Sequence, residues 1–157
     1  MKLKPAGLMR WALNVPTLLY RSRLGFLMGK RFFMIEHRGR KTGTFYRTVL
    51  EVAGRYPDRD EWIVTAGWGP GSDWYRNLKA GTLEAVWTGS KRFAARVRFL
   101  EPQEAGQVMG DYERAHRRTA KVLLKGMGVS HDGTDEGRVE MMKQIPMVAL
   151  QVRLDPV

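Results

Sequence analysis

The chain has no cysteine. Disulfides, thiolate nucleophiles and Cys-based zinc or iron–sulfur sites are therefore excluded, and a reducing compartment suits such a composition. Acids are scarce at one end. Residues 1–47 carry eleven Lys/Arg against the single acid Glu36, whereas the remainder carries sixteen basic and fifteen acidic residues. The formal charge of +11 thus sits almost wholly on the first third, where it attracts a polyanion or an anionic surface. No uncharged apolar run approaches the ~20 residues of a membrane-spanning helix. The N-terminal apolar stretch is broken by Arg10 and Pro16 and has no clear cleavage site after it, so it does not read as a secretory signal.

Several kinds of chemistry are missing as well. His37, His116 and His131 are the only histidines, and none is paired at metal-ligand spacing on a helix, so no metal is expected. There is no nucleophile elbow, Walker loop or dinucleotide fingerprint. No zinc finger or RNA-recognition signature accompanies the positive charge, which argues against a nucleic-acid partner. An enzyme built from this chain would borrow its reactive group from a cofactor.

What is present fits one domain with a core, since 157 residues at 43% apolar content suffice for one. Residues 1–31 read as a basic amphipathic helical segment. Leu8, Met9, Trp11, Ala12 and Val15 recur at helical spacing among seven lysines and arginines. Such a segment either covers a core or lies on an anionic membrane surface. The expected domain body is 32–157. Phe32–Arg38 and Thr44–Ala53 read as strands, Trp62–Ala66 as a third, Leu83–Trp87 as a fourth and Met147–Leu154 as the last. The cleanest alternation is Phe93, Ala95, Val97 and Phe99 against Arg92, Ala94, Arg96 and Arg98, whose arginines read as a solvated sheet face. Ser72 reads as the N-cap of a helix over 73–80, with Gly81 after it. A longer helix is predicted from Pro102 to about Lys125, weakened by Gly106 and Gly110, and a further helical turn over 138–144. Short hairpin links between strands predict a mainly β (α+β) fold: an antiparallel barrel of about six strands with peripheral helices.

Two stretches carry candidate chemistry. His37-Arg38-Gly39-Arg40-Lys41-Thr42-Gly43 is a tight turn dense in cations, which reads either as a clamp for phosphate or carboxylate or as an ordinary solvated turn. Gly67-Trp68-Gly69-Pro70-Gly71 is a Gly-rich loop. It either lets the backbone approach a flat ligand or simply makes the connection to the next helix.

The first of these stretches, together with Gly69-Pro70-Gly71-Ser72-Asp73-Trp74-Tyr75-Arg76-Asn77-Leu78 and Ile145-Pro146-Met147-Val148, resembles the deazaflavin-dependent nitroreductase family over roughly residues 30–153. The resemblance implies a split β-barrel that binds coenzyme F-420, an 8-hydroxy-5-deazaflavin with a polyanionic tail. FMN ranks behind it. The implied activity is hydride transfer from the reduced cofactor to a small nitroaromatic, quinone or enone. Lys41 matches the family's tail-binding lysine, with Arg40 and Thr42 beside it. Ala66, Gly67, Trp68 and Gly69 take the place of the ring loop, and Trp74, Tyr75 and Asn77 match the helix motif after it. The family's second cation aligns with Tyr46, whereas Arg47 stands one residue later and on the other strand face; which of them meets the tail stays open. The best-studied branch has a Ser-Lys pair where this chain has Ala66-Gly67-Trp68. The tyrosines that line that branch's substrate pocket have no counterpart between Met127 and Ile145. No catalytic residue stands out, Tyr75 and His131 being the candidates for moving a proton. The resemblance also implies pairing into a homodimer. The expected location is cytoplasmic, at the inner face of the membrane if residues 1–31 bind lipid. The competing reading is a non-catalytic split-barrel carrier of a lipid, a fatty acid or the cofactor near the membrane.

Overall fold

The structure, a computed structural model, describes residues 31–156. The amphipathic segment expected at 1–31 lies outside the described residues, apart from Arg31. Six strands form a closed antiparallel barrel: β1 (Phe32–Arg38), β2 (Phe45–Tyr56), β3 (Glu61–Thr65), β4 (Leu83–Thr88), β5 (Lys91–Phe99) and β6 (Met147–Pro156). Their order around the barrel is β1-β2-β3-β6-β5-β4. Four helices accompany them: α1 (Asp73–Lys79), α2 (Pro102–Ala115), α3 (Arg117–Met127) and α4 (Asp135–Met142). The expected barrel and its strands are all found, with ends moved by a residue or two. Among the described residues no helix is long and apolar enough to cross a membrane, and no three metal-ligating side chains come together.

Two compact units share these strands. The first holds β1, the start of β2, α1, β4 and the start of β5. Register fixes its faces: Phe33, Ile35 and His37 lie opposite Leu50, Thr48 and Tyr46, while Met34, Glu36 and Arg38 lie opposite Val49, Arg47 and Phe45. β1 has five consecutive buried residues, so both of its faces are covered. The turn from β1 to β2 closes through Gly39 N–H to Thr44 O at 2.8 Å and Gly43 N–H to Gly39 O at 2.8 Å. Gly43 sits at φ +69°, where a Cβ would be strained.

The second unit holds the end of β2, β3, the Gly-rich loop, the end of β5, α2–α4 and most of β6. Its core joins Ile63, Met147 and Ala149 of the sheet to Val108, Met109 and Tyr112 of α2, Leu124 of α3 and Met141 and Met142 of α4. The single helix expected to run to Lys125 is two. His116 leaves helical geometry at φ −136°, ψ 48°, and the chain re-enters a helix that carries Ala120 and Leu124 into the core. No glycine or proline marks this break, because it is set by where the core lies. Gly106 does not weaken α2 at random. A Cβ on Gly106 would stand 3.0 Å from Val139 Cγ2, and one on Gly110 would stand 3.7 Å from the Arg138 guanidinium carbon. The missing side chain at Gly106 lets α4 lie close against α2, which offsets its cost of about 1 kcal/mol in a helix interior, whereas a Cβ at Gly110 would make only ordinary contact. α4 is also longer than the expected helical turn and starts earlier, because Thr134 caps it by accepting from Gly137 N–H.

The arginine row of β5 is a solvated face only at Arg96, which is exposed; Arg92 pairs with the buried Glu36 and Arg98 with two carboxylates. Arg98 forks between two carboxylates, reaching Glu61 at 2.9 and 2.8 Å and Glu104 at 2.8 and 3.0 Å. Glu61 is buried, so the pairing is obligatory once the strand is in place.

Replacing Gly106 with Val should force α4 off α2 and lower stability by about 1–3 kcal/mol, read as a fall in the urea midpoint. An unchanged midpoint would show that the helices do not depend on this close approach.

Candidate functional site

Within the first unit one buried carboxamide organises the cationic turn. Asn77 lies on α1, in a helix interior that its type does not favour. Its Oδ1 accepts from Arg40 N–H at 3.1 Å and from Arg40 Nη1 at 2.9 Å. With the oxygen so occupied, Nδ2 faces His37 and donates to its Nδ1 at 3.1 Å. His37 must then carry its proton on Nε2, which donates to Thr48 Oγ1 at 3.0 Å. Burial pushes the His37 pKa down, more than Asp73 pushes it up, so the ring stays neutral. The Asn77 carbonyl in turn accepts from Thr82 N–H and Oγ1. Turn, helix and strand meet at this residue.

The consequence for the turn's charges is a division of roles. Arg40 is half-buried, with Nη1 also on Asp73 Oδ1 at 3.2 Å, so it holds the turn to α1. Arg38 donates to Glu84 and to the Gly43 carbonyl. Lys41 is exposed and has no hydrogen bond or ion pair among the described residues. Thr42 Oγ1 donates to Thr44 Oγ1 at 2.8 Å, which rigidifies the tip.

Tyr46 and Arg47 go to opposite faces, as the period of two requires. Tyr46 is 46% exposed and stacks on His37 at 5.8 Å between centroids. Arg47 lies opposite the buried Glu36 and bonds it at 2.9 and 3.1 Å, while Arg92 takes its other oxygen at 2.8 Å. Burial pushes the Glu36 carboxyl up, but the two guanidiniums outweigh it and its pKa falls below the ordinary 4.5. Arg47 is thus committed to an internal charge, and Tyr46 shares the face of His37. Neither Glu36 nor the structural use of Asn77 was evident from sequence; the one signal was an Asn placed inside a short helix.

The Gly-rich loop belongs to the second unit. Ala66 is buried and its N–H reaches Pro146 O at 2.8 Å. A Cβ on Gly67 would meet the Met127 thioether, and one on Gly69, at φ +83°, would come 3.2 Å from Gln144 O. Both glycines therefore serve local packing. Ser72 does not act as the predicted cap by accepting; its hydroxyl donates back to Gly69 O at 2.8 Å. Trp68 projects from the loop, 37% exposed.

The remaining candidates are inward or engaged. Trp74 packs edge-on to Tyr75 at 5.9 Å, and Tyr75 is buried. His131 donates from Nε2 to Glu113 at 2.6 Å, and its Nδ1 accepts from Gly133 N–H at 3.1 Å. Arg138 holds the other Glu113 oxygen at 2.7 Å.

By sequence the chain matches no protein-family model and no curated protein. Among the solved structures that superpose on it are two that bear on its fold. One is an F-420-H2-dependent reductase (FDR-A), with a TM-score of 0.50 and 19% identity over 77% of this chain and 94% of the other. The second is a pyridoxamine 5′-phosphate oxidase-related, FMN-binding protein from Nostoc punctiforme. It has a TM-score of 0.52 and 14% identity over 96% of this chain and 81% of the other. The likeness is one of fold: this chain is a split β-barrel, as the motif resemblance implies.

The neutral, buried His37 makes a prediction with a definite sign. Its folded pKa lies below the ordinary 6.5, so the unfolded chain takes up the proton first and stability falls as pH drops below 6.5. Urea midpoints measured between about pH 7.5 and 5.5 should show this decline in the native chain and lose that part of it in His37→Gln. The Glu36 cluster titrates lower, below its ordinary 4.5, and so does not intrude. Equal slopes for the two proteins would mean that His37 is not held neutral.

Proposed function

We propose that the protein is an oxidoreductase that binds the reduced deazaflavin coenzyme F-420 and reduces a small organic acceptor of the nitroaromatic, quinone or enone type. The observation that carries this reading is Lys41, an exposed ammonium without a partner among the described residues, on a turn whose other groups are tied down. A cation held on a rigid turn loses little freedom when an anion arrives, so more of the interaction appears as affinity. Lys41 suits the phosphate and carboxylates of an anionic tail, and Thr42, whose hydroxyl proton goes to Thr44, stiffens the turn beside it. Arg40 acts by positioning the turn through Asn77. Tyr46, exposed beside His37, takes the place proposed for the second tail contact, since Arg47 is spent on Glu36.

The loop Ala66–Gly69 is proposed for the flat ring on its own merits. It is short, fixed by Gly69 N–H to Ala66 O at 2.8 Å, and carries an exposed indole at Trp68 for stacking. When bound, the reduced coenzyme supplies a hydride; the chain supplies orientation, the main source of rate in such a reaction. This reading assigns no side chain as proton donor, because His131 uses both ring nitrogens within its own network and Tyr75 is buried. The motif resemblance favours the deazaflavin over FMN; the fold is shared both with an F-420-H2-dependent reductase and with an FMN-binding protein and does not choose between them.

Titration with reduced deazaflavin, followed through Trp68 fluorescence and run beside FMN, tests the proposal. Lys41→Ala should weaken deazaflavin binding by about fivefold at low salt, with the difference shrinking as ionic strength rises. Lys91→Ala should leave it unchanged. Superimposable curves for the two variants, or tighter binding of FMN, would count against the assignment.

A further inference from the structure

Helix α3 carries a row of cations that the fold does not use. Arg117, Lys121 and Lys125 recur every fourth residue and so lie on one stripe, spaced by about 6 Å along the helix. None has a hydrogen bond or ion pair among the described residues. Like charges at this spacing repel one another. Arg117 and Arg118 also occupy a first turn that contains no acid, where the helix dipole favours negative charge. Both choices work against the isolated helix, and both are relieved by an anion.

The stripe borders an open groove of about 680 Å³. Ala120, Leu124 and Val129 form its apolar lining, with Ala120 and Leu124 belonging to the core of the same unit. Its volume lies in the range of about 300–1,000 Å³ typical of small-molecule pockets. Glu113 and His131 also border it, but the Glu113 carboxylate is already held by Arg138 at 2.7 Å and His131 at 2.6 Å. An apolar lining beside unpaired cations fits a ligand with an apolar body and an anionic head. The chain's own N-terminus does not fit: residues 1–30 hold six lysines and arginines and no acid.

We propose that this groove binds a small anionic amphiphile, its single apolar chain lying on Ala120, Leu124 and Val129 and its head held by Lys121 and Lys125. This binding is tested by calorimetric titration of the full chain with laurate and with dodecanol, both below their aggregation limits, and with anionic phosphatidylglycerol vesicles. Laurate should bind about tenfold more tightly than dodecanol. The double variant Lys121→Gln/Lys125→Gln should lose that preference. Ser130→Trp, at an exposed position on the groove, should weaken both ligands, and Lys91→Gln, on β5, should weaken neither. Equal affinity for laurate and dodecanol, no laurate binding, or a preference that survives the double variant would overturn the proposal. Binding of vesicles without binding of free laurate would overturn it in favour of a membrane surface.

Discussion

The carboxamide of Asn77 is the constraint on which the candidate site depends. It is buried and satisfied on both sides, by Arg40 at its oxygen and by His37 at its nitrogen. A buried amide left half-paired costs about 1–3 kcal/mol, so these partners are held together, not merely adjacent. One consequence is chemical: His37 is locked into the tautomer that donates to Thr48. The other is geometric. Arg40 is committed to Asn77 and Asp73, the turn is fastened to α1, and Lys41 is left as the turn's uncommitted charge.

Buried carboxylates set a second constraint, on the sheet itself. Glu36 sits directly across from Arg47 and takes Arg92 as well. Glu61 takes the fork of Arg98. Such pairs add little net stability over apolar residues of the same shape, but stranding one member is costly. A one-residue slip of β2 against β1 would move Arg47 to the opposite face and leave Glu36 with one guanidinium fewer. These pairs thus act on register, and the register decides that Tyr46 and not Arg47 shares a face with His37.

Local signals were readable in the sequence. The strand of β5, the glycines of the 39–43 turn and the extent of α1 before Gly81 are all short-range features, and the structure holds each of them within a residue or two, although Ser72 does not cap α1 as expected. Barrel closure followed from short links between strands. What could not be read were the long-range uses of residues that look generic. An arginine on an alternating strand is the same letter whether it meets water or, as Arg98 does, two glutamates. Gly106 lowers helix propensity whatever it packs against, and only the position of Val139 explains it. The break at His116 has no breaker residue, since the core beyond it directs the turn. Arg40 and Asn77 are 37 positions apart, and nothing local announces their bond.

The functional account joins these points: a rigid turn, fastened by Asn77, presents Lys41 to an anionic cofactor tail. In that arrangement the value of Lys41 depends on Asn77. A double-mutant cycle on reduced-deazaflavin affinity measures this dependence directly. The account predicts that Lys41→Ala costs about fivefold in the native background and close to nothing in an Asn77→Ala background that remains folded. The same loss in both backgrounds would show that the Asn77 node does not position the charge, and no deazaflavin binding in any of the four proteins would contradict the assignment itself.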